Sequence, residues 1–66
     1  MEEYRRIKTF VDGSVLIEHR DESGFLLARY VGYYNHRHRT YKLYPAPGEK
    51  HYSCRVHVIS DRLLRG

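Results

Sequence analysis

The 66-residue chain has a mass of 8.0 kDa and a formal net charge of +4 at pH 7. Its length predicts one domain, residues 1–66, with one small core. No apolar stretch approaches the roughly 20 residues that span a bilayer, and the charged N-terminal residues lack the apolar region of a secretory signal. We therefore expect a cytoplasmic protein with no membrane partner. A single cysteine excludes an internal disulfide.

Charge is distributed unevenly along the chain. Residues 1–22 contain six acidic and four basic side chains, whereas residues 23–66 contain two acidic and eight basic ones. No acidic residue occurs between Ser23 and Gly48, and arginine outnumbers lysine nine to three. The planar guanidinium group suits two-point contacts with phosphate or carboxylate. The pattern indicates an anionic partner.

The N-terminal segment predicts a β-hairpin. Residues 4–11 and 14–20 are rich in strand-forming side chains and flank Asp-Gly at 12–13, a strong hairpin signal. A two-residue turn at this point places Phe10 opposite Val15. Both faces of the hairpin are nearly equally apolar, so the alternation of side chains does not show which face is buried.

Two further strands are predicted in the middle of the chain. Residues 21–24 form a turn that leads into a strand over residues 25–34. Gly32, inside that strand, predicts a bulge or a sharp bend. A connection at residues 35–38 then leads to a fourth strand over residues 39–44, whose polar and apolar side chains alternate regularly.

The next segment predicts a loop and a fifth strand. Two prolines within residues 45–50 cannot donate backbone hydrogen bonds, so this segment interrupts the sheet. The fifth strand is expected to begin at His51 or Tyr52 and to end at about Ile59. Its alternation predicts that the inward-facing residues are Tyr52, Cys54, Val56 and Val58.

These elements together predict an all-β fold, a small five-stranded antiparallel meander rolled into an SH3-like or OB-like barrel. A short C-terminal turn or helix is expected to begin at Ser60. Leu63 and Leu64 are expected to cover the open end of the barrel or to lie in a subunit interface. The predicted core residues are Val15, Ile17, Leu27, Tyr41, Leu43, Val56 and Val58.

The leading candidate site is the stretch from Arg29 to Tyr44, where tyrosines are interleaved with basic residues. A phenol ring offers a flat face to a base and a hydroxyl to phosphate, and arginine stacks or binds phosphate. We predict phosphate contacts by Arg37, Arg39 and Lys42, and stacking by those of Tyr33, Tyr34 and Tyr44 that face solvent. The full set of predicted DNA- or RNA-binding residues is Arg29, Tyr33, Tyr34, His36, Arg37, His38, Arg39, Lys42, Tyr44 and Arg55. The alternative is that the tyrosines are ordinary strand formers on a solvated face.

The basic turn at residues 35–39 has the right size to enter a nucleic-acid groove or to contact phosphates. Protonation of His36 and His38 at lowered pH would strengthen such contacts. A mobile, solvent-exposed turn is the competing interpretation.

Two other functions remain open from the sequence. Tyr and Arg also dominate protein interfaces, so a stand-alone interaction module or inhibitor, of phage or mobile-element type, would dock on an acidic partner through the same surface. A homodimer is compatible with either function. A small metal-free ribonuclease would use His36 or His38 with Arg37 and Arg39. We expect no enzyme activity, because no nucleophile has an adjacent base and no glycine-rich phosphate loop occurs.

Histidine and cysteine spacings come near to those of a metal site. His36 and His38 could share an ion, but Cys54 and His57 lie three positions apart on a strand and point to opposite faces. A structural zinc site needs four ligands, and His51 would have to supply one from another loop. We therefore expect no metal and no cofactor, with Cys54 acting as a small buried apolar side chain.

Overall fold

The computed structural model describes residues 2–50 and 54–66. They form a six-stranded sheet that curls into a half-barrel, which confirms the small all-β prediction with one strand more than expected. In the sheet the strands lie in the order β5-β4-β3-β2-β1-β6. The described part of the chain contains no helix long and apolar enough to cross a membrane. The strand bounds are β1 Glu3–Thr9, β2 Val15–Arg20, β3 Leu26–Asn35, β4 Thr40–Pro45, β5 His57–Ser60 and β6 Leu64–Arg65.

The additional strand, β6, links the two edges of the sheet. A single 3-10 turn, Asp61–Leu63, follows β5 and carries the chain to β6, which pairs in parallel with β1. The Ser60 side chain caps this turn by accepting a hydrogen bond from the Arg62 amide. The predicted short C-terminal turn beginning at Ser60 is thus confirmed. Ser60 belongs to one edge strand and Leu64 to the other, and four residues span at most about 14 Å. The two edges therefore approach each other at this end.

The first hairpin turn is longer than the predicted two-residue turn. The Phe10 amide donates to the Ser14 carbonyl, and the Gly13 amide donates to the Phe10 carbonyl. Gly13 has a φ of 90°, the left-handed conformation that closes a three-residue loop. Val15 consequently pairs with Thr9 and not with Phe10.

Gly32 does not mark a bulge, because it pairs in unbroken register with both β2 and β4. The structure gives another reason for glycine at this position. A Cβ atom there would lie 2.6 Å from Ile17 Cδ1, so the missing side chain leaves space for core packing. Register shifts occur instead in β1, between Arg6 and Lys8, and in the pairing of β2 with β3, between His19 and Arg20.

The hydrophobic core lies on the inner face of the curled sheet. Ile17 and Leu43 are completely buried, and Tyr4, Cys54 and Leu64 pack at the margin of the core. Leu63 is exposed, so Leu64 alone of the two predicted covering leucines packs against the core. Four predicted core residues are confirmed: Val15, Ile17, Tyr41 and Leu43.

The predicted inward positions of Val56 and Val58 are wrong, and the strand begins only at His57, so the described residues 54–56 of the predicted strand lie outside it. Ile59 is buried, whereas Val56 and Val58 are 50% and 57% exposed. Pairing with β4 sets this orientation, because Ile59 lies opposite the buried Tyr41. The predicted start of the strand at His51 or Tyr52 lies outside the described residues, as does the predicted core position of Tyr52 itself.

The predicted core position of Leu27 is also wrong. Leu27 is only half-buried, while its neighbour Ala28 and the next inward residue, Tyr30, fill the core. The buried positions of β3 are therefore Ala28, Tyr30 and Gly32.

Candidate nucleic-acid interface

Three exposed side chains lie together on the outer face of the β3–β4 hairpin. Tyr33 pairs directly with Lys42, and its ring meets that of Tyr44 edge to face, with centroids 5.6 Å apart and an interplanar angle of 84°. The Lys42 ammonium lies 5.5 Å from the centre of the Tyr44 ring. Tyr33 is 47% and Tyr44 38% exposed. We call Tyr33, Lys42 and Tyr44 the outer patch; it offers two aromatic rings and one cation to solvent.

A groove of about 500 Å³ extends from the outer patch, a volume within the range of small-molecule sites. The loop after β4 forms its far wall and is attached to β3 at Arg29. The Ala46 amide donates to the Arg29 carbonyl, and the Glu49 carboxylate accepts a bond from the Arg29 amide at 2.7 Å. The groove is lined by Val31, Tyr33, Lys42, Tyr44, Pro45 and Pro47.

The basic turn at the end of the same hairpin is held by hydrogen bonds from its backbone amides to the Asn35 side chain. Asn35 Oδ1 accepts hydrogen bonds from the amides of Arg37 and His38, at 3.0 and 3.3 Å. Arg39 closes the turn with a φ of 56°. We call residues 36–39 the tip; its four side chains are exposed, so they can reach a ligand without rearrangement of the sheet.

Tyr34 lies apart from the other predicted stacking residues. It pairs with the buried Tyr41 on β4, which places it on the opposite side of the sheet from Tyr33. Its hydroxyl donates a hydrogen bond to Asp61 Oδ2 at 2.9 Å. This bond to a carboxylate raises the pKa of the Tyr34 phenol.

The two remaining predicted residues lie outside the outer patch. Arg29 lies on the outer face, where its Nε is 3.5 Å from Glu18 Oε2. Arg20 also bonds Glu18, at 2.8 Å, so the Glu18 carboxylate offsets part of the positive charge there. Arg55 is exposed just before β5, and its carbonyl bonds His57 Nδ1 at 2.8 Å. Within the outer patch itself, the cation is Lys42.

Sequence reasoning did not identify an inner cluster of aromatic and histidine side chains. The rings of Tyr4 and His19 stack at 4.2 Å, and Tyr30 meets His57 edge to face at 5.0 Å. Because His57 Nδ1 is hydrogen-bonded to the Arg55 carbonyl, we assign the ring proton to Nδ1. With this assignment, Nε2 accepts a hydrogen bond from the Tyr4 hydroxyl at 3.2 Å. Burial raises the pKa of the Tyr4 and Tyr30 phenols. The cluster draws on four strands, so only the sheet register brings it together.

The described residues do not provide a metal site. Within residues 2–50 and 54–66, no three His, Cys, Asp or Glu side chains lie close enough together to hold an ion. Cys54 packs at the core margin with its Sγ 3.8 Å from the Arg29 carbonyl. The third ligand considered for such a site, His51, lies outside the described residues.

No family model, curated protein or solved structure matches this chain.

Proposed function

We propose that the chain binds nucleic acid through the outer patch and the tip. One observation carries the proposal: Tyr33 and Tyr44 expose their rings beside the Lys42 ammonium, on the hairpin that ends in the basic tip. Stacking on aromatic side chains contributes about 1–3 kcal/mol per base. Cationic side chains next to such rings attract the phosphates between the bases.

The layout of the hairpin supports this combination of contacts. Lys42 is three residues from Arg39, a separation of about 10 Å along a strand. Phosphate-binding and base-binding groups therefore follow one another along the hairpin. The acid next to the tip, Asp61, already accepts a hydrogen bond from Tyr34, and no acidic residue occurs within residues 23–48.

The test is a titration of fluorescent oligonucleotides at two salt concentrations. If about four phosphates are neutralised, affinity should fall about 50- to 150-fold between 50 and 200 mM salt, because each phosphate contributes a slope of about −0.7 to −0.9. An affinity that does not depend on salt, or no binding at 50 mM, would contradict the proposal.

A matched pair of variants locates the site. Lys42→Gln and Arg65→Gln each remove one positive charge, but Lys42 lies in the outer patch, whereas Arg65 lies on β6, which pairs with β1 and not with the β3–β4 hairpin. We expect Lys42→Gln to weaken binding severalfold and to flatten the salt dependence by about one phosphate. Arg65→Gln should leave the affinity and its salt dependence close to those of the unmodified chain. Equal effects would place the site elsewhere.

A protein partner is the second candidate, and one observation favours it. Val56 and Val58 are exposed, Val58 pairs with Lys42, and the adjacent groove has apolar walls at Val31 and Pro47. Apolar side chains next to a cation would suit a partner with an acidic rim. Such a module would show no affinity for random oligonucleotides at low salt, so the same titration separates the two functions.

A further inference from the structure

We infer that the ligand of this surface is single-stranded nucleic acid, with unpaired bases lying on Tyr33 and Tyr44. This inference rests on the proposed function and deepens it. Its evidence is the width of the sheet at the tip and the angle between the two rings, neither of which the sequence reveals.

The tip does not protrude as a free two-stranded ribbon. β5 runs beside β4 up to the pairing of Ser60 with Thr40. Just beyond, the Asp61 amide donates to the Arg39 carbonyl at 3.0 Å, and the Asp61 carboxylate accepts the Tyr34 hydroxyl. Three chain segments therefore lie side by side at this end of the sheet.

That width disfavours insertion into a duplex. Neighbouring strands lie about 4.8 Å apart, so three backbones already span about 10 Å before side chains are added. The major groove of B-DNA, about 12 Å wide, admits two strands, and the minor groove is about half as wide. The tip is therefore better placed to contact phosphates from outside than to read base edges within a groove.

The two rings of the outer patch also disfavour a paired ligand. Bases in a duplex cover one another's faces and are parallel, whereas the planes of Tyr33 and Tyr44 differ by 84°. Bases lying on both rings must be splayed at a similar angle. Only a strand without a partner can adopt that arrangement, and unpaired bases are the usual targets of aromatic platforms.

The geometry also gives the path of the bound strand along the hairpin. One base is expected to occupy the groove between Tyr44 and Pro47, and a second to lie on Tyr33. The phosphates that follow then lie near Arg37 and Arg39, about 10–15 Å further along the hairpin. A site of about four nucleotides covers this span, at the lower end of the range for small single-strand-binding domains.

The experiment compares single and double strands directly by fluorescence anisotropy. A labelled mixed-sequence oligonucleotide of about 12 nucleotides, longer than the expected site, is titrated alone and after annealing to its complement, in DNA and RNA versions. We expect the single strand to bind at least about tenfold more tightly. Tyr33→Ala and Tyr44→Ala should each weaken single-strand binding about 5- to 150-fold, and Tyr33→Phe, which keeps the ring, should retain most of the affinity.

A spectroscopic readout tests the stacking independently of affinity. The chain has no tryptophan, so Tyr33→Trp introduces a single indole, whose fluorescence should be quenched when a single strand stacks on it. Duplex affinity equal to or above that of the single strand would overturn this inference while leaving the proposed function intact. So would single-strand binding that is insensitive to both alanine variants but weakened by Lys42→Gln. No binding of either form would overturn the proposed function itself.

Discussion

Gly32 is the glycine at which packing leaves the least space for a side chain. A methyl group there would lie 2.6 Å from Ile17 Cδ1 and 3.1 Å from Leu43 Cδ2, and both neighbours are fully buried. We expect Gly32→Ala to lower the free energy of unfolding by about 1–3 kcal/mol, the usual cost of overpacking a core. Denaturant titration followed by circular dichroism measures this loss.

A second substitution shows whether the contact with Ile17 is the cause. Ile17→Val removes Cδ1 and should cost about 0.5–1.5 kcal/mol on its own. In the Ile17→Val background, Gly32→Ala should be less costly than in the unmodified chain, because the closest contact has been removed. Additive losses would show that the destabilisation comes from another source.

Cys54 offers a chemical probe of the core margin. Burial is the main cause that raises the pKa of its thiol, so less thiolate is present at a given pH than in an exposed cysteine. A disulfide reagent should therefore modify the native protein more slowly than the urea-unfolded chain. The pH midpoint of the reaction should also be higher in the native protein. The two midpoints would coincide if the thiol were fully solvated.

At the scale of the elements, the turn between β2 and β3 depends on one carboxylate. Asp21 Oδ1 accepts hydrogen bonds from the Ser23 amide, the Ser23 hydroxyl and the Phe25 amide. We expect Asp21→Ala to destabilise the protein at neutral pH. Asp21→Asn keeps an acceptor oxygen at this position and should lose less stability. Thermal unfolding of the two variants gives the ranking, and an equal loss in both would contradict it.

The stabilisation that Asp21 gives this turn should depend on pH, and the hydrogen bonds to its carboxylate determine the sign. The bond from the Ser23 hydroxyl is the largest of the causes that lower the pKa of Asp21. The carboxylate therefore stabilises the fold above its unfolded pKa of about 3.9, and this contribution is lost as the pH falls through the lower folded value. The stability difference between the unmodified chain and Asp21→Ala should narrow below about pH 4. A difference that is constant down to acid pH would show that the charge has no part in it.

The elements also show what could be predicted from sequence. Turn residues and strand-forming side chains located the first four strands closely, because those signals are local. The face of strand five could not be predicted, since Val56 and Val58 alternate with polar residues as core positions do. The orientation depends on non-local contacts. Pairing with β4 places His57 opposite the buried Leu43, and the His57 ring is hydrogen-bonded there to the Tyr4 hydroxyl.

The candidate site was likewise only partly predictable from sequence. Lys42 and Tyr44 are two positions apart on one strand, so their shared face followed from alternation. The length of the tip loop determines whether Tyr33 or Tyr34 lies on the same face as Lys42 and Tyr44. The sequence does not give that length, and the observed pairing of Tyr33 with Lys42 identifies Tyr33. The edge-to-face angle of the rings has no sequence signal.

At the scale of the whole molecule, charge is separated along β3. The turn before β3 contains Asp21 and Glu22, and the tip after it contains Arg37 and Arg39. Ten residues of strand separate these ends by about 30 Å, comparable with the longest dimension of the molecule, 31 Å. The positive charge is therefore concentrated at the tip end of the molecule, a distribution that the net charge of +4 does not show.

This separation distinguishes a local site from attraction by net charge alone. Glu22→Gln raises the net charge by one, but Glu22 lies more than about 20 Å along the sheet from Tyr33. That distance exceeds the Debye length of about 8 Å at 0.15 M salt. We expect Glu22→Gln to leave oligonucleotide affinity unchanged at that salt concentration and to strengthen it slightly at about 0.01 M, where the Debye length reaches about 30 Å. An increase at 0.15 M as large as the decrease caused by Lys42→Gln would mean that overall charge, and not the outer patch, determines binding.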